Sequence, residues 1–216
     1  MVLYETKSVV YHLRRHPGLR DHGTGGDGPP AWVFCQILHQ VGAVSGAELW
    51  LLRGSLRREG LGLGLCLGGG IFAVILAAFF LFRNFIDLRA IADGLLGKEG
   101  ISRENFLWVA LYISICNSFL EELLFRGLGY LALREHTSEA FAMVFSAAAF
   151  AVYHAAILDG WFSWWVYGLC MLGLFVGGLI FNALDRRGGI LPSWLAHAGA
   201  NLAINTIGLM MFGLIS

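Results

Sequence analysis

Residues 106–133 read FLWVALYISICNSFLEELLFRGLGYLAL, a membrane-helix composition with three charges near its centre. Apolar residues fill the run on both sides of Glu121, Glu122 and Arg126. Insertion scales give a cost of about 2.5–3.5 kcal/mol for each charged side chain at the centre of a membrane helix. A helix tolerates this cost when its charges pair or face a polar cavity. We therefore expect the functional site at this cluster.

The overall composition is typical of a membrane protein. The chain has 216 residues, of which 57% are hydrophobic and 14% are charged, whereas soluble domains carry about 25% charged residues. The formal net charge is zero, which argues against nucleic acid as a partner. The four cysteines lack CxxC spacing and therefore predict neither a zinc knuckle nor a disulfide framework.

Five apolar runs approach or exceed the roughly 20 residues that a membrane helix needs. They are Leu61–Phe82, Phe106–Leu133, Ala140–Leu158, Trp161–Leu184 and Ile190–Ile215. No alternating strand pattern interrupts them. We predict an all-α, polytopic transmembrane helical bundle of five or six spanning helices, without β-sheet.

The remaining segments divide the chain into a tail and a bundle. Residues 1–30 predict a polar, flexible or interfacial N-terminal tail, and residues 31–216 predict the transmembrane bundle. Within the bundle, the functional core is expected at about 106–205. Whether residues 31–52 form a sixth membrane-spanning helix stays open, because that run is long enough to span the bilayer but contains several polar side chains. The arginines in the short loops fall mostly on one side of the predicted bundle. We expect that side to be cytoplasmic, which places the C-terminus outside.

Helical spacing predicts two pairs around the central charges. Glu122 and Arg126 are four residues apart, so they can neutralise each other on one face of the helix. Glu121 points about 100° away from Glu122. Its carboxylate is therefore available for another partner, and Asn117 lies one turn before it on the same face.

Further polar side chains lie in the later spans. His154 lies in the third of the five predicted spans, and His197 and Asn201 lie one turn apart in the last span. Each has a structural alternative, because a buried histidine is often a hydrogen-bonded core residue and asparagines hold membrane helices together. Asn182 lies near a span end, where solvation at the membrane interface is expected. A joint site is favoured because buried polar groups on several apolar helices need one another as partners.

The joint set has the residue types of an acyl hydrolase. A carboxylate beside an imidazole can hold and deprotonate a water molecule, the role we expect for Glu121 with His154. His197 and Asn201 offer two N–H donors suited to an oxyanion. These parts predict peptide-bond hydrolysis without a serine or cysteine nucleophile.

A metal site is the competing chemistry. Glu121, His154 and His197 would supply a two-histidine, one-carboxylate set for Zn²⁺ with one position left for water. No HExxH motif is present, and three separate helices would provide the ligands. The residue pattern leaves both versions open, and we expect that no cofactor is required.

Three ordered motifs resemble the signatures of a known family. EELLFR at 121–126, FAVYH at 150–154 and HAGAN at 197–201 match the EExxxR, FxxxH and HxxxN patterns of the CPBP family. This family includes type II CAAX prenyl proteases and bacterial bacteriocin-processing and abortive-infection proteins. The resemblance covers roughly Phe106 to Asn205. It implies roles for six residues: activation of water by Glu121 and His154, oxyanion binding by His197 and Asn201, and support from Glu122 and Arg126.

The resemblance also implies a setting for the protein. We expect an intramembrane endopeptidase in a bacterial cytoplasmic membrane, with the lipid bilayer and a peptide or protein substrate as partners. Because the predicted bundle is short, a partner membrane protein, self-association or the tail is expected to complete the substrate entrance. Two alternatives stay open, a non-catalytic scaffold or immunity protein of the same fold and a proton path through the same polar residues.

Overall fold

A computed structural model of the chain describes residues 56, 58–158, 160–187 and 189–215. The predictions for the tail at 1–30 and for a helix at 31–52 lie outside the described residues. Within the described ranges the secondary structure is helical and contains no strand. The predicted all-α class is thereby confirmed.

The helices are numbered here in chain order. Their bounds are Leu61–Phe82 for α1, Leu88–Gly94 for α2, Phe106–Glu135 for α3, Glu139–Leu158 for α4, Trp164–Leu184 for α5 and Leu191–Met211 for α6. Asp87 caps the N-terminus of α2, and its carboxylate accepts hydrogen bonds from the backbone N–H groups of Arg89 and Ala90. The five long helices, α1 and α3 to α6, begin and end close to the five predicted spans.

Three of these helices have the length and apolarity to cross a membrane within the described part of the chain. They are α1 with its 3₁₀ extension, α3, and α5 with its 3₁₀ extension. Helix α4 contributes a shorter apolar run. Helix α6 carries polar side chains such as His197 and Asn205, which lower its hydropathy. Large exposed apolar side chains, including Val74 and Leu172, cover the outside of this integral membrane bundle. The total of five or six spans stays a prediction.

The winding of α3 changes around the charged cluster. Phe106–Tyr112 and Ser118–Glu122 are α-helical, whereas Ile113–Asn117 and Leu123–Ala132 are π-helical. π-Helical turns are rare and are frequently found at functional sites. Glu121 and Glu122 therefore stand on a single regular segment between two wider ones.

Glycines bring α1 and α6 into close contact. A Cβ at Gly199 would lie 2.5 Å from the carbonyl oxygen of Gly68, and a Cβ at Gly64 would lie 2.5 Å from that of Pro192. Only residues without a side chain permit such an approach. Because Gly199 lies between His197 and Asn201, this contact determines the position of the helix segment that carries both residues.

The Gly199→Ala variant is expected to be less stable than the wild-type protein. Its Cβ would overlap the Gly68 backbone, and overpacking of this kind costs about 1–3 kcal/mol. Gly69→Ala is the matched control, since nothing lies within 4 Å of a Cβ at Gly69. Thermal unfolding of both purified variants in detergent provides the comparison. Equal stability of the two variants would contradict the close contact.

Asn182 departs from its prediction. Solvation at the membrane interface was expected, but the side chain is fully buried. Its Nδ2 donates to the Met143 carbonyl at 2.8 Å, and its Oδ1 accepts the Ser146 hydroxyl at 3.1 Å. The prediction was wrong because α4 and α5 pack too closely to admit solvent: a Cβ at Gly178 would lie 2.9 Å from Ala147 Cα.

Candidate active site

Glu121 presents one engaged and one available carboxylate oxygen. The side chain is buried in the middle of α3. Its Oε1 accepts a hydrogen bond of 2.6 Å from Asn117 Nδ2, the residue that spacing placed on the same face. Its Oε2 is buried and has no hydrogen-bond partner among the described residues. A buried carboxylate oxygen of this kind requires a polar partner such as water or substrate.

Two imidazoles from other helices face that oxygen. His154 of α4 and His197 of α6 each place Nε2 at 3.7 Å from Glu121 Oε2. These separations are longer than a direct hydrogen bond, so a bridging water fits the polar contact. The structure thus brings together an acid and two imidazoles from α3, α4 and α6.

The Nδ1 partners define the protonation of both rings. His154 Nδ1 lies 2.9 Å from the Phe150 carbonyl, which can only accept, so Nδ1 carries a proton. His197 Nδ1 lies 2.7 Å from Glu122 Oε1 and likewise donates. Each neutral ring therefore presents an accepting lone pair at Nε2. His197 becomes a donor at Nε2 only when its ring is protonated.

The predicted pair of Glu122 and Arg126 is confirmed. Arg126 Nη1 lies 3.1 Å from Glu122 Oε1, and both side chains are fully buried. The Arg126 guanidinium lies 4.3 Å from the Phe150 ring centroid and 5.0 Å from that of Phe181, distances typical of cation–π contacts. Because Glu122 Oε1 also accepts from His197, the ion pair is connected directly to the imidazole.

The asparagines of α6 bind the backbone of α3. Asn201 Nδ2 donates to the Ile113 carbonyl at 3.2 Å, at the start of the first π-helical turn. Asn205 Nδ2 donates to the Ala110 carbonyl at 3.0 Å and to the Ser114 hydroxyl at 2.9 Å. An amide carries two N–H groups, so Asn201 retains a second donor.

Asp185 and Ser193 join this polar group although sequence reasoning missed them. Both side chains are fully buried. The Ser193 hydroxyl lies 2.5 Å from Asp185 Oδ2, and Asp185 Oδ1 accepts the Ser193 backbone N–H at 3.3 Å. One signal was present, since Ser193 lies one turn before His197 in the same helix. Asp185 had none, because it begins the polar turn Asp185–Arg187 and resembles a loop charge.

The donor atoms for the alternative zinc set converge only loosely. The Nε2 atoms of His154 and His197 each lie 3.7 Å from Glu121 Oε2. In the part of the chain that the structure describes, no group of three His, Cys, Asp or Glu side chains meets the arrangement of a metal site. These three residues would be the ligands if a metal were bound.

Comparison with known proteins addresses the same segment. The type II CAAX prenyl endopeptidase Rce1-like family model matches residues 103–203. This range includes the three motifs that begin at Glu121, Phe150 and His197. Searches of curated proteins and of solved structures found no match to the chain. Through residues 103–203, which include Glu121, His154, His197 and Asn201, the chain is similar to the type II CAAX prenyl endopeptidase Rce1-like family.

Proposed function

We propose that the protein is an intramembrane endopeptidase in which Glu121 and His154 activate a water molecule. The observation that carries this proposal is Glu121 Oε2, which has no hydrogen-bond partner among the described residues and has the His154 Nε2 at 3.7 Å. A water between these two atoms would find an acceptor for each of its protons. Such a water is oriented and can lose a proton as it attacks a carbonyl carbon.

The remaining steps follow from the atoms around this water. Glu121 takes the water proton while the water oxygen bonds to the peptide carbonyl carbon, forming a tetrahedral oxyanion. A protonated His197 and the second N–H of Asn201 stabilise that oxyanion. The C–N bond then breaks as the proton held by Glu121 passes through His154 Nε2 to the leaving amine, which restores the Glu121 carboxylate and leaves the other product as a carboxylic acid. Glu122 holds the His197 ring through its Nδ1.

The substrate class follows from the family and the membrane setting. We propose a peptide or protein that is cut near the membrane surface, with prenylated CaaX sequences as one candidate class. We place the activity in a bacterial cytoplasmic membrane, where a processed peptide is the other candidate. The site is buried among apolar helices, so the substrate must reach it from the bilayer or its surface.

A peptide library tests the proposal directly. The full chain is reconstituted in phospholipid vesicles and incubated with peptides that carry or lack a farnesylated cysteine. Mass spectrometry identifies the products. We expect cleavage of at least one peptide class at a defined bond. If no peptide is cut by the wild-type protein, the non-catalytic scaffold is favoured instead.

Removal of metal distinguishes the two versions of the chemistry. We expect activity to be unchanged after exhaustive treatment with a strong zinc chelator, because the proposed water is held by Glu121 and His154 without a metal. The cleavage rate before and after chelation is measured on the same vesicles. Loss of activity that added Zn²⁺ restores would instead assign Glu121, His154 and His197 as zinc ligands.

A further inference from the structure

We propose that Asp185 and Ser193 form a positioning pair that holds the His197 imidazole in register with Glu121. This inference rests on the proposed function for its kinetic consequences. The pair lies outside the three sequence motifs. His197 is restrained from two directions, by this pair at the start of α6 and by the Glu122–Arg126 ion pair at the ring.

The first direction is the N-terminal turn of α6. Asp185 Oδ1 accepts the backbone N–H of Ser193 at 3.3 Å, and Oδ2 lies 2.5 Å from the Ser193 hydroxyl. The first N–H groups of a helix have no partner within the helix. Pro192 has no N–H, and Asp185 accepts that of Ser193, so it acts as a remote cap of the helix. His197 follows Ser193 by four residues on the same face.

The second direction is the Glu122–Arg126 ion pair, in which Arg126 is fully buried and its Nε and Nη2 have no hydrogen-bond partner among the described residues. Arg126 Nη1 and His197 Nδ1 share the same acceptor, Glu122 Oε1, at 3.1 and 2.7 Å. A displacement of the guanidinium would therefore move the carboxylate that orients the ring. Asp185 thus restrains the start of the helix, while Glu122 restrains the side chain.

The kinetic test compares two buried serines. Ser193→Ala removes the hydroxyl that contacts Asp185, whereas Ser146→Ala removes an equally buried hydroxyl that bonds to the Phe125 carbonyl and to Asn182. Displacement of a positioned catalytic group by about 1 Å can cost about a hundred-fold in rate. We expect Ser193→Ala to lower kcat by ten-fold or more, in the range of that estimate, with KM unchanged. Ser146→Ala should retain wild-type kcat.

A spectroscopic test is independent of activity. In protein labelled with ¹⁵N-histidine, the proton between His197 Nδ1 and Glu122 gives a downfield NMR signal, assigned by its loss in His197→Gln. We expect Ser193→Ala and Asp185→Asn to shift or broaden this signal, and Ser146→Ala to leave it unchanged. If Asp185→Asn does not fold, Ser193→Ala decides the result.

The two tests separate the possible failures. A normal His197 signal in Ser193→Ala, together with normal kcat, would overturn the positioning role. An altered signal in a protein whose wild type cuts no peptide would support the positioning role and contradict the proposed function alone. An equal loss of kcat in Ser193→Ala and Ser146→Ala would assign the serine effect to general packing and also overturn the proposal.

Discussion

Glu121→Gln is expected to reduce peptide cleavage by about a thousand-fold, the middle of the range for loss of a general base. Glutamine has nearly the same volume and keeps a carbonyl oxygen for the hydrogen bond from Asn117. It cannot accept a proton from water at neutral pH. We therefore expect normal amounts of folded protein in the membrane. The measurement is the cleavage rate per amount of reconstituted protein.

Glu139→Gln is the control for removal of a glutamate charge. Glu139 forms an exposed ion pair with Arg186 at 2.8 Å, and exposed pairs contribute little to stability. Its variant should cut at the wild-type rate. If Glu121→Gln does the same, another group must activate the water. If the Glu121→Gln variant retains full biological activity but cuts no peptide, the protein acts as a scaffold.

Glu122→Gln is expected to abolish accumulation of the folded protein. The change leaves Arg126 as an uncompensated charge in a fully buried position. Loss of one partner from a buried ion pair costs about 3–5 kcal/mol, a large part of the 5–15 kcal/mol that typically separates folded from unfolded protein. The measurement is the amount of monodisperse protein recovered from membranes.

A double variant separates charge from chemistry. Glu122→Gln combined with Arg126→Met removes both charges and replaces the guanidinium by an apolar chain that fits between Phe150 and Phe181. Recovery of folded protein in the double variant would assign the single variant's defect to the stranded arginine. Normal accumulation of an inactive Glu122→Gln protein would contradict the stability explanation and place Glu122 in the chemistry.

Contacts within one helix could be predicted from spacing. Glu122 with Arg126, and Asn117 with Glu121, are four residues apart, and the structure pairs both. The helical repeat determines these neighbours whatever the rest of the chain does. The same local rule, combined with apolar length, predicted the helix bounds and the all-α class.

Contacts between helices could be predicted only in outline. The sequence indicated that the polar residues of α3, α4 and α6 need one another, because the surrounding spans offer little else. It did not indicate that His197 contacts Glu122 rather than Glu121 most closely, or that Asn201 binds the Ile113 carbonyl. Those choices depend on helix rotation and depth.

Helix class, the approximate span bounds and the pairs along α3 were therefore properties of the amino-acid order, since each depends on hydropathy or on the 3.6-residue repeat. The shared carboxylate of Glu122, the burial of Asn182 and the Asp185–Ser193 contact arose only from tertiary packing. Glycine contacts such as Gly68 with Gly199 set the distance between helices. A change of about one ångström in that distance changes which polar atoms are close enough to form hydrogen bonds.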